Sequence, residues 1–277
     1  MKPAFQKNDA LLADIARARG EGRARLWWLG QSGFLVYKKE ATVLFDPYLS
    51  DSLTRKYAAT DKPHTRITEQ VIAPECLQGI DVITSSHTHT DHLDAETLQP
   101  LLAANPQAKL LIPRANRAFV LERLGKVEDS LVEVDAGESV RVAGVTFHGI
   151  AAAHNIVERD ELGRCRFLGY VAQVGGRTIY HSGDTLLHDE LIPSLLRFKI
   201  DVAILPINGN KPERRVAGNL NCREAAQLAW DIKARVAIPH HFDMFEFNTV
   251  SPEEFLSECG RLDQRACVLQ NGQGLDL

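Results

Sequence analysis

Residues 80–94 read IDVITSSHTHTDHLD, and the reading of the whole chain turns on this stretch. Its first seven residues are a short apolar, β-branched run of the kind that forms a buried strand. The run leads straight into His87, His89, Asp91 and His92. In extended backbone, alternate side chains share a face, so residues 87, 89 and 91 would project together. His87 and His89 could then grip one metal ion, with Asp91 beyond them. If the chain turns toward the following helix, His92 swings round to join Asp91 on a second ion. Neutral imidazole and carboxylate suit zinc or manganese, with iron as a further fit. A polar loop with chance histidines is the alternative, but three histidines and an aspartate after a buried strand argue against it.

On either side of this stretch the chain alternates between strand and helix patterns. Residues 5–19 read as a surface helix with Phe5, Leu11, Leu12 and Ile15 as its apolar face. RLWWLG (25–30), GFLVYKK (33–39) and ATVLFDPYL (41–49) read as consecutive strands, and 50–75 as a long loop. Residues 93–104 read as a helix, 108–113 as a strand, and 114–125 as a helix ended by Gly125. Residues 131–154 have the alternation of a β-meander, and 169–184 that of a hairpin turning at Gly175–Gly176. The last third predicts a helix over 188–197, a strand over 201–207, a helix over 221–232, a strand over 235–241, a helix over 252–259 and a final strand, ACVLQ, over 266–270. Meander runs combined with strand–helix alternation predict two sheets packed face to face with helices outside, an αββα sandwich. No linker divides the chain, so one domain over 1–277 is expected, with 1–24 as a helical extension.

Composition narrows the function classes. The 277 residues are 44% hydrophobic and 25% charged, as in an ordinary globular protein. The net charge is −4 with ten histidines counted neutral, which argues against binding nucleic acid by bulk electrostatics. No apolar run is long enough for a membrane span, and the charged start reads as mature sequence without a signal peptide. The five cysteines (Cys76, Cys165, Cys222, Cys259 and Cys267) are scattered and form no CxxC pair. They suit free thiols and a cytoplasmic location.

Further candidate ligands stand at predicted strand ends, which share one rim in a layered α/β fold. His154 follows a meander strand. Asp184 stands in YHSGDT, where Gly183 permits a tight turn and a carboxylate could bridge two ions. His240 and His241 both follow RVAIP, and spacing alone does not choose between them. His181 reads as structural, and His64, His148 and His188 as ordinary. Lys211, Arg214 and Arg215 lie in a loop that could hold a substrate phosphate or carboxylate, though a solvated loop is the plainer reading. The 50–66 segment could cover a pocket.

The order HTHTDH, His154, SGDT and IPHHFD resembles the metallo-β-lactamase-fold hydrolases over about residues 25–275. WWLGQSGF, DPYLSD, YHSGDT and IPHHFD are similar, more narrowly, to the L-ascorbate-6-phosphate lactonase branch and its phosphodiesterase relatives. The resemblance implies two divalent ions per chain. His87, His89 and His154 would hold one, Asp91, His92 and His241 the other, and Asp184 would lie between. It selects His241 because the family's late ligand stands two residues after the proline of an Ile-Pro pair, here Ile238–Pro239. It also implies that Asp46 orients a ligand histidine. The chemistry expected is hydrolysis of a lactone or phosphodiester by a hydroxide shared between the ions, with Asp91 as proton acceptor and donor. The rivals are a nuclease or RNA-processing phosphodiesterase of the same fold and a non-catalytic metal-binding protein. The expected partner is a small molecule, for which an anion is compatible with the site. Homo-oligomerisation stays open.

Overall fold

A computed structural model of the chain describes residues 1–277 except Ala217. Two sheets face each other. The first has seven strands: β1 (Arg25–Gly30), β2 (Gly33–Lys38), β3 (Ala41–Phe45), β4 (Val82–Thr84), β5 (Lys109–Pro113), β6 (Leu131–Val134) and the C-terminal β13 (Gly274–Asp276), in the order β13-β1-β2-β3-β4-β5-β6. The second has six: β7 (Ser139–Val142), β8 (Val145–Ala151), β9 (Leu168–Val174), β10 (Arg177–His181), β11 (Val202–Pro206) and β12 (Val236–His240), in the order β12-β11-β10-β9-β8-β7. Each sheet joins an antiparallel meander to a parallel run, β3-β4-β5-β6 in one and β10-β11-β12 in the other.

Strand β1 shows why the layers form. Leu26 and Trp28 point into the core between the sheets, where Phe34, Phe45, Phe147 and Tyr170 also sit. Trp27 and Leu29 point the other way, into a second core with Leu35 and Leu44. A strand buried on both faces needs a continuous apolar run, which Leu26–Leu29 supplies. Helices α1 (Asn8–Gly20), α3 (Ala95–Ala104) and α4 (Arg117–Leu124) cover that outer face through Leu11, Ile15, Leu98, Leu101 and Val120. Helices α5 (Leu191–Leu195), α6 (Cys222–Asp231) and α7 (Glu253–Arg261) supply the fourth layer. The predicted αββα sandwich is the observed architecture. Gly175 and Gly176, at φ 51° and 76°, make the two-residue turn between β9 and β10.

Some element boundaries differ from the sequence reading. The predicted loop 50–75 contains a short helix, α2 (Ser52–Tyr57). Phe5 is exposed, and α1 instead buries Leu11, Asp14, Ile15 and Ala18. The helix predicted over 188–197 shrinks to one turn, α5. ACVLQ is not a strand: Ala266 makes a single bridge to Ala237, and the chain then crosses to pair Gly274–Asp276 antiparallel with β1. Four apolar residues in a row did not distinguish a strand from a crossing that is partly buried on one side. Among the described residues, no helix is long and apolar enough to cross a membrane.

Candidate metal centre

The candidate ligands gather where strands of both sheets end. The backbone after β4 does not stay extended. Ser85–His92 forms a turn in which the His92 and Leu93 amides both donate to the His89 carbonyl, at 3.0 and 2.8 Å. Residues 87, 89 and 91 therefore do not share one face of an extended strand as expected, and it is the turn that brings their side chains together. The second sheet contributes His154 just past β8, Asp184 past β10 and His241 past β12. Each of three sets has ligand atoms within 4.8 Å of one another: His87, His89 and His154; His87, His92 and Asp184; Asp91, His92 and His241.

Asp184 lies between the first and third sets. Its Oδ1 is 3.3 Å from His92 Nε2, and its Oδ2 is 3.3 Å from His241 Nε2 and 3.6 Å from His154 Nε2. Gly183 lets the chain enter this position at φ 58°, and a Cβ there would stand 2.7 Å from Ser86 Cβ. His241 follows β12 at φ 61°, a left-handed turn out of the strand. His240 instead ends β12 fully buried, with Nδ1 3.0 Å from the Ser32 hydroxyl.

A second ring of contacts fixes proton positions. Asp46 Oδ2 lies 2.7 Å from His92 Nδ1 and also accepts from the Ser86 amide at 3.2 Å, while Oδ1 accepts from the Thr84 hydroxyl at 2.7 Å. Burial works to raise the Asp46 pKa, but the His92 hydrogen bond and the nearby His181 bring it below the ordinary carboxylate value. With Asp46 ionised, His92 Nδ1 is the donor, so the Nε2 of a neutral ring carries a lone pair. His154 Nδ1 likewise lies 2.8 Å from the Gly218 carbonyl, which leaves its Nε2 facing the cluster. His181 is buried, 2.8 Å from the Ser32 carbonyl and stacked on Phe45 at 5.3 Å, outside the three sets.

These atoms need a cation. His87 Nε2, His92 Nε2 and Asp184 Oδ1 are buried and make no hydrogen bond. Two acceptors, a neutral imidazole nitrogen and a carboxylate oxygen, cannot face each other at 3.3 Å without positive charge between them. Without a metal, protons fill that role. Burial opposes charge on His92, yet Asp184 and Asp91 raise its pKa well above the usual value. In the same way Asp184 overcomes burial to raise His241 to about 9. Asp184 and Asp91 are correspondingly held below the ordinary carboxylate range. His87 and His154, dominated by burial, are pushed down, His154 to about 4. The donor set thus fits divalent metal.

The cluster opens onto a cavity of about 480 Å³. Of the three basic residues singled out in the 208–219 loop, only Arg215 lines it, and its guanidinium pairs with Asp61 at 2.7 Å. Lys211 is exposed and outside the lining. Arg214 instead donates to the Asn208 and Thr249 carbonyls and to Asn248 Oδ1, pinning two loops. Both are corrected as substrate contacts. Ala217, within that loop, lies outside the described residues. The 50–66 segment does line the cavity, through Leu53, Lys56, Tyr57 and His64, so His64 is not the bystander its sequence context implied.

Sequence reading missed Gln31, Arg123 and a chain of asparagines. Gln31 sits in the β1–β2 turn, and its Nε2 donates to Asp91 Oδ2 at 2.8 Å. Asn219 Nδ2 donates to Asn208 Oδ1 at 3.1 Å, and Asn208 Nδ2 to Asn248 Oδ1 at 3.0 Å, along the cavity wall. Gln31 had a sequence signal in the flanking Gly30 and Gly33; Arg123 and the asparagines had none.

Comparison with known proteins agrees with this architecture. A family model described as a beta-lactamase superfamily domain matches residues 41–242. A UPF0173 metal-dependent hydrolase of Metallosphaera sedula is 26% identical over 255 residues, spanning 92% of this chain and 100% of that protein. A protein of the same description from Pyrococcus abyssi is 28% identical over 253 residues, spanning 90% of this chain and 98% of the relative. Isothiocyanate hydrolase from Delia radicum gut bacteria superposes with a TM-score of 0.71 at 19% identity, over 91% of this chain and 99% of that one. CmlA, a diiron beta-hydroxylase from Streptomyces venezuelae, gives a TM-score of 0.68 at 15% identity, over 92% of this chain and 54% of that one. The two structural likenesses are likenesses of fold.

Proposed function

The chain belongs to the beta-lactamase superfamily, and from that premise we propose that it is a metal-dependent hydrolase of a small lactone or phosphodiester. In this reading His87, His89 and His154 would hold one divalent ion and Asp91, His92 and His241 a second, with Asp184 available to both. The observation that carries it is the buried, hydrogen-bond-free convergence of His87 Nε2, His92 Nε2 and Asp184 Oδ1. Imidazole and carboxylate donors suit zinc or manganese, with iron as a third fit. Such ions supply Lewis-acid activation of water and of the electrophilic carbon or phosphorus.

The chain's own residues do the rest. Asp46 and the Gly218 carbonyl hold the protons of His92 and His154 on Nδ1, so that Nε2 of each ring is free to ligate. Gln31 Nε2 holds Asp91 Oδ2, which fixes the carboxylate that takes the proton from water and returns it to the leaving oxygen. A cavity of about 480 Å³ is the size of a small-molecule site.

Elemental analysis of the purified protein, followed by assay of a lactone and phosphodiester panel with added manganese or zinc, tests the reading. Stoichiometric metal and metal-dependent turnover are expected. A chain that holds no zinc, manganese or iron and gains none on incubation refutes it. Metal uptake with no turnover would favour a metal-binding role, and turnover confined to RNA or DNA would favour a nuclease.

A further inference from the structure

Two parts of the cavity wall take no part in holding metal, and they differ in chemistry. One is Arg123, from α4. Its Nη1 donates to the Thr88 carbonyl at 2.6 Å, within the ligand turn, and to the Leu93 carbonyl at 3.1 Å, just past its end. The guanidinium lies 4.4 Å from the Phe119 ring centroid, and both residues line the cavity. Its partners are backbone carbonyls rather than carboxylates, unlike Arg215, which faces Asp61, or Arg55, which faces Glu96. One nitrogen anchors the fork, leaving Nη2 and Nε as donors beside the centre; Asp94 and Glu122 lie near enough to favour the charge, but among the described residues neither pairs with the guanidinium directly.

The other part is aromatic. Tyr57 and His64 stack at 4.1 Å with planes 19° apart, and Phe247 packs beside His64 at 4.4 Å, tilted by 56°. Phe245 meets His64 edge-on at 5.4 Å. All four line the cavity. The loop that carries His64 is tied to the Arg215 loop, because Lys62 Nζ donates to the Arg215 carbonyl at 3.0 Å and Asp61 pairs with the Arg215 guanidinium. Partly exposed stacked rings present a flat surface on which another planar group can continue the stack.

We propose that the substrate of this site is a small anion carrying a planar ring, with Arg123 holding the anionic group and the Tyr57–His64 stack, flanked by the tilted Phe247 ring, holding the planar group. The proposal rests on the hydrolase reading for its reaction and on the cavity wall for its recognition, and the two can fail separately. It makes Arg123 a specificity-determining residue that touches substrate but no metal.

The test uses the zinc-loaded full chain and matched lactones and phosphodiesters, aryl or alkyl, each with and without an added carboxylate; the charged-against-neutral comparison is made within the lactones, because a phosphodiester is already a monoanion. Loss of a charge-assisted hydrogen bond corresponds to roughly 10–100-fold in affinity. R123Q should raise KM for carboxylated members by about that factor more than for their carboxylate-free counterparts. R123K, which keeps the charge and loses the fork, should recover part of the preference. Y57L should raise KM for aryl over alkyl members by roughly 3–10-fold, the worth of a stacked pair. Unchanged zinc content in each variant separates recognition from damage to the ligand turn. An R123Q effect equal on charged and neutral members, or absent from both, overturns the proposal. If nothing in the panel is hydrolysed, the hydrolase reading falls, and calorimetric binding of the same compounds decides the recognition: selective loss of carboxylated members in R123Q upholds it, and equal affinities overturn it.

Discussion

Replacing Asp46 by Asn tests whether one buried carboxylate sets the metal affinity of the His92 site. Asn is isosteric with Asp and tolerates the left-handed φ of 37° found here, so the backbone should be kept. The new amide has two orientations. With its NH2 toward His92 it confronts two donors, His92 Nδ1–H and the Ser86 amide. His92 escapes only by moving its proton to Nε2, the atom 3.3 Å from Asp184 Oδ1, which removes the lone pair a metal needs. With the NH2 toward Thr84, that hydroxyl turns to accept, and His92 keeps its bond to a now neutral carbonyl. The second orientation is the cheaper. It forfeits the difference between a charged and a neutral acceptor, about 1–1.5 kcal/mol, together with some basicity at Nε2. The expected outcome is one metal equivalent bound roughly 10–100-fold more weakly. The other should be unchanged, because His87, His89 and His154 do not touch Asp46. Competition against a chromophoric chelator at fixed pH measures both equivalents, and urea unfolding checks the fold. Two equivalents within twofold of wild type would refute the orienting role of Asp46, and a wild type that takes up a single equivalent would refute the two-ion assignment.

Four further outcomes follow from the structure. Asp14 accepts from Trp27 Nε1 at 2.8 Å and Gln6 Nε2 at 3.0 Å, beside Arg17 and Arg25. Asp14→Ala should cost about 3 kcal/mol at pH 7 by urea unfolding. Burial tends to raise the Asp14 pKa, but these partners bring it below the ordinary value, so the stabilisation exists above the unfolded carboxylate pKa and fades as pH falls through the folded one. The variant's acid limb should be correspondingly flatter. Gly183→Ala places a Cβ 2.7 Å from Ser86 Cβ at φ 58°, and should lose about 2–4 kcal/mol and weaken metal uptake in the chelator assay. In metal-free protein, burial holds the His154 pKa at about 4 against an ordinary 6.5, so the fold is penalised as pH falls through that interval. His154→Gln should therefore gain on wild type between those values and not above them. His241 is raised to about 9, so the deficit of His241→Gln should be full below about 6.5 and vanish as pH rises through 9. Unfolding across pH in chelator checks both, and parallel curves would refute the charge assignments.

Much of the fold and the candidate ligand set was legible in the chain because both obey local rules. Strands buried on both faces need continuous apolar runs, and RLWWLG, ATVLF and DVAILPI have them. The Gly-Gly turn and the helix stop at Gly125 need glycine's freedom at positive φ, and they have it. His87 to His92 are contiguous, and His154, Asp184 and the late histidines each follow a visible strand. The remainder was illegible for equally physical reasons. Arg123 lies in an ordinary amphipathic helix, and only the packing of α4 against the ligand turn brings it to the cavity. Nothing local distinguishes Arg214, which pins loops, from Arg215 one residue on, which reaches the cavity. The final strand escaped because β13 is three residues long and owes its existence to β1 beside it.

The backbone at the rim explains how ordinary strands deliver side chains to one point. Gln31, Asp46 and His241 are each the first residue past a strand, after β1, β3 and β12, and each has positive φ, at 48°, 37° and 61°. A strand alternates its side chains between two faces, so its last residues are committed to one core or the other. One left-handed residue just past the strand end breaks that alternation and turns its own side chain toward the rim. For a residue other than glycine this costs about 1–2 kcal/mol, and it persists only where the surroundings hold it. Here they do. Gln31 is clamped to Asp91, Asp46 to His92, Ser86 and Thr84, and the His241 amide donates to the Gln31 carbonyl at 3.2 Å. The three strained residues thus support one another through the groups that a metal would draw together. On this account the strain belongs to the centre rather than to the sheets, and Asp46 and Gln31, which are not among the candidate ligands, are as constrained in backbone and side chain as His241, which is.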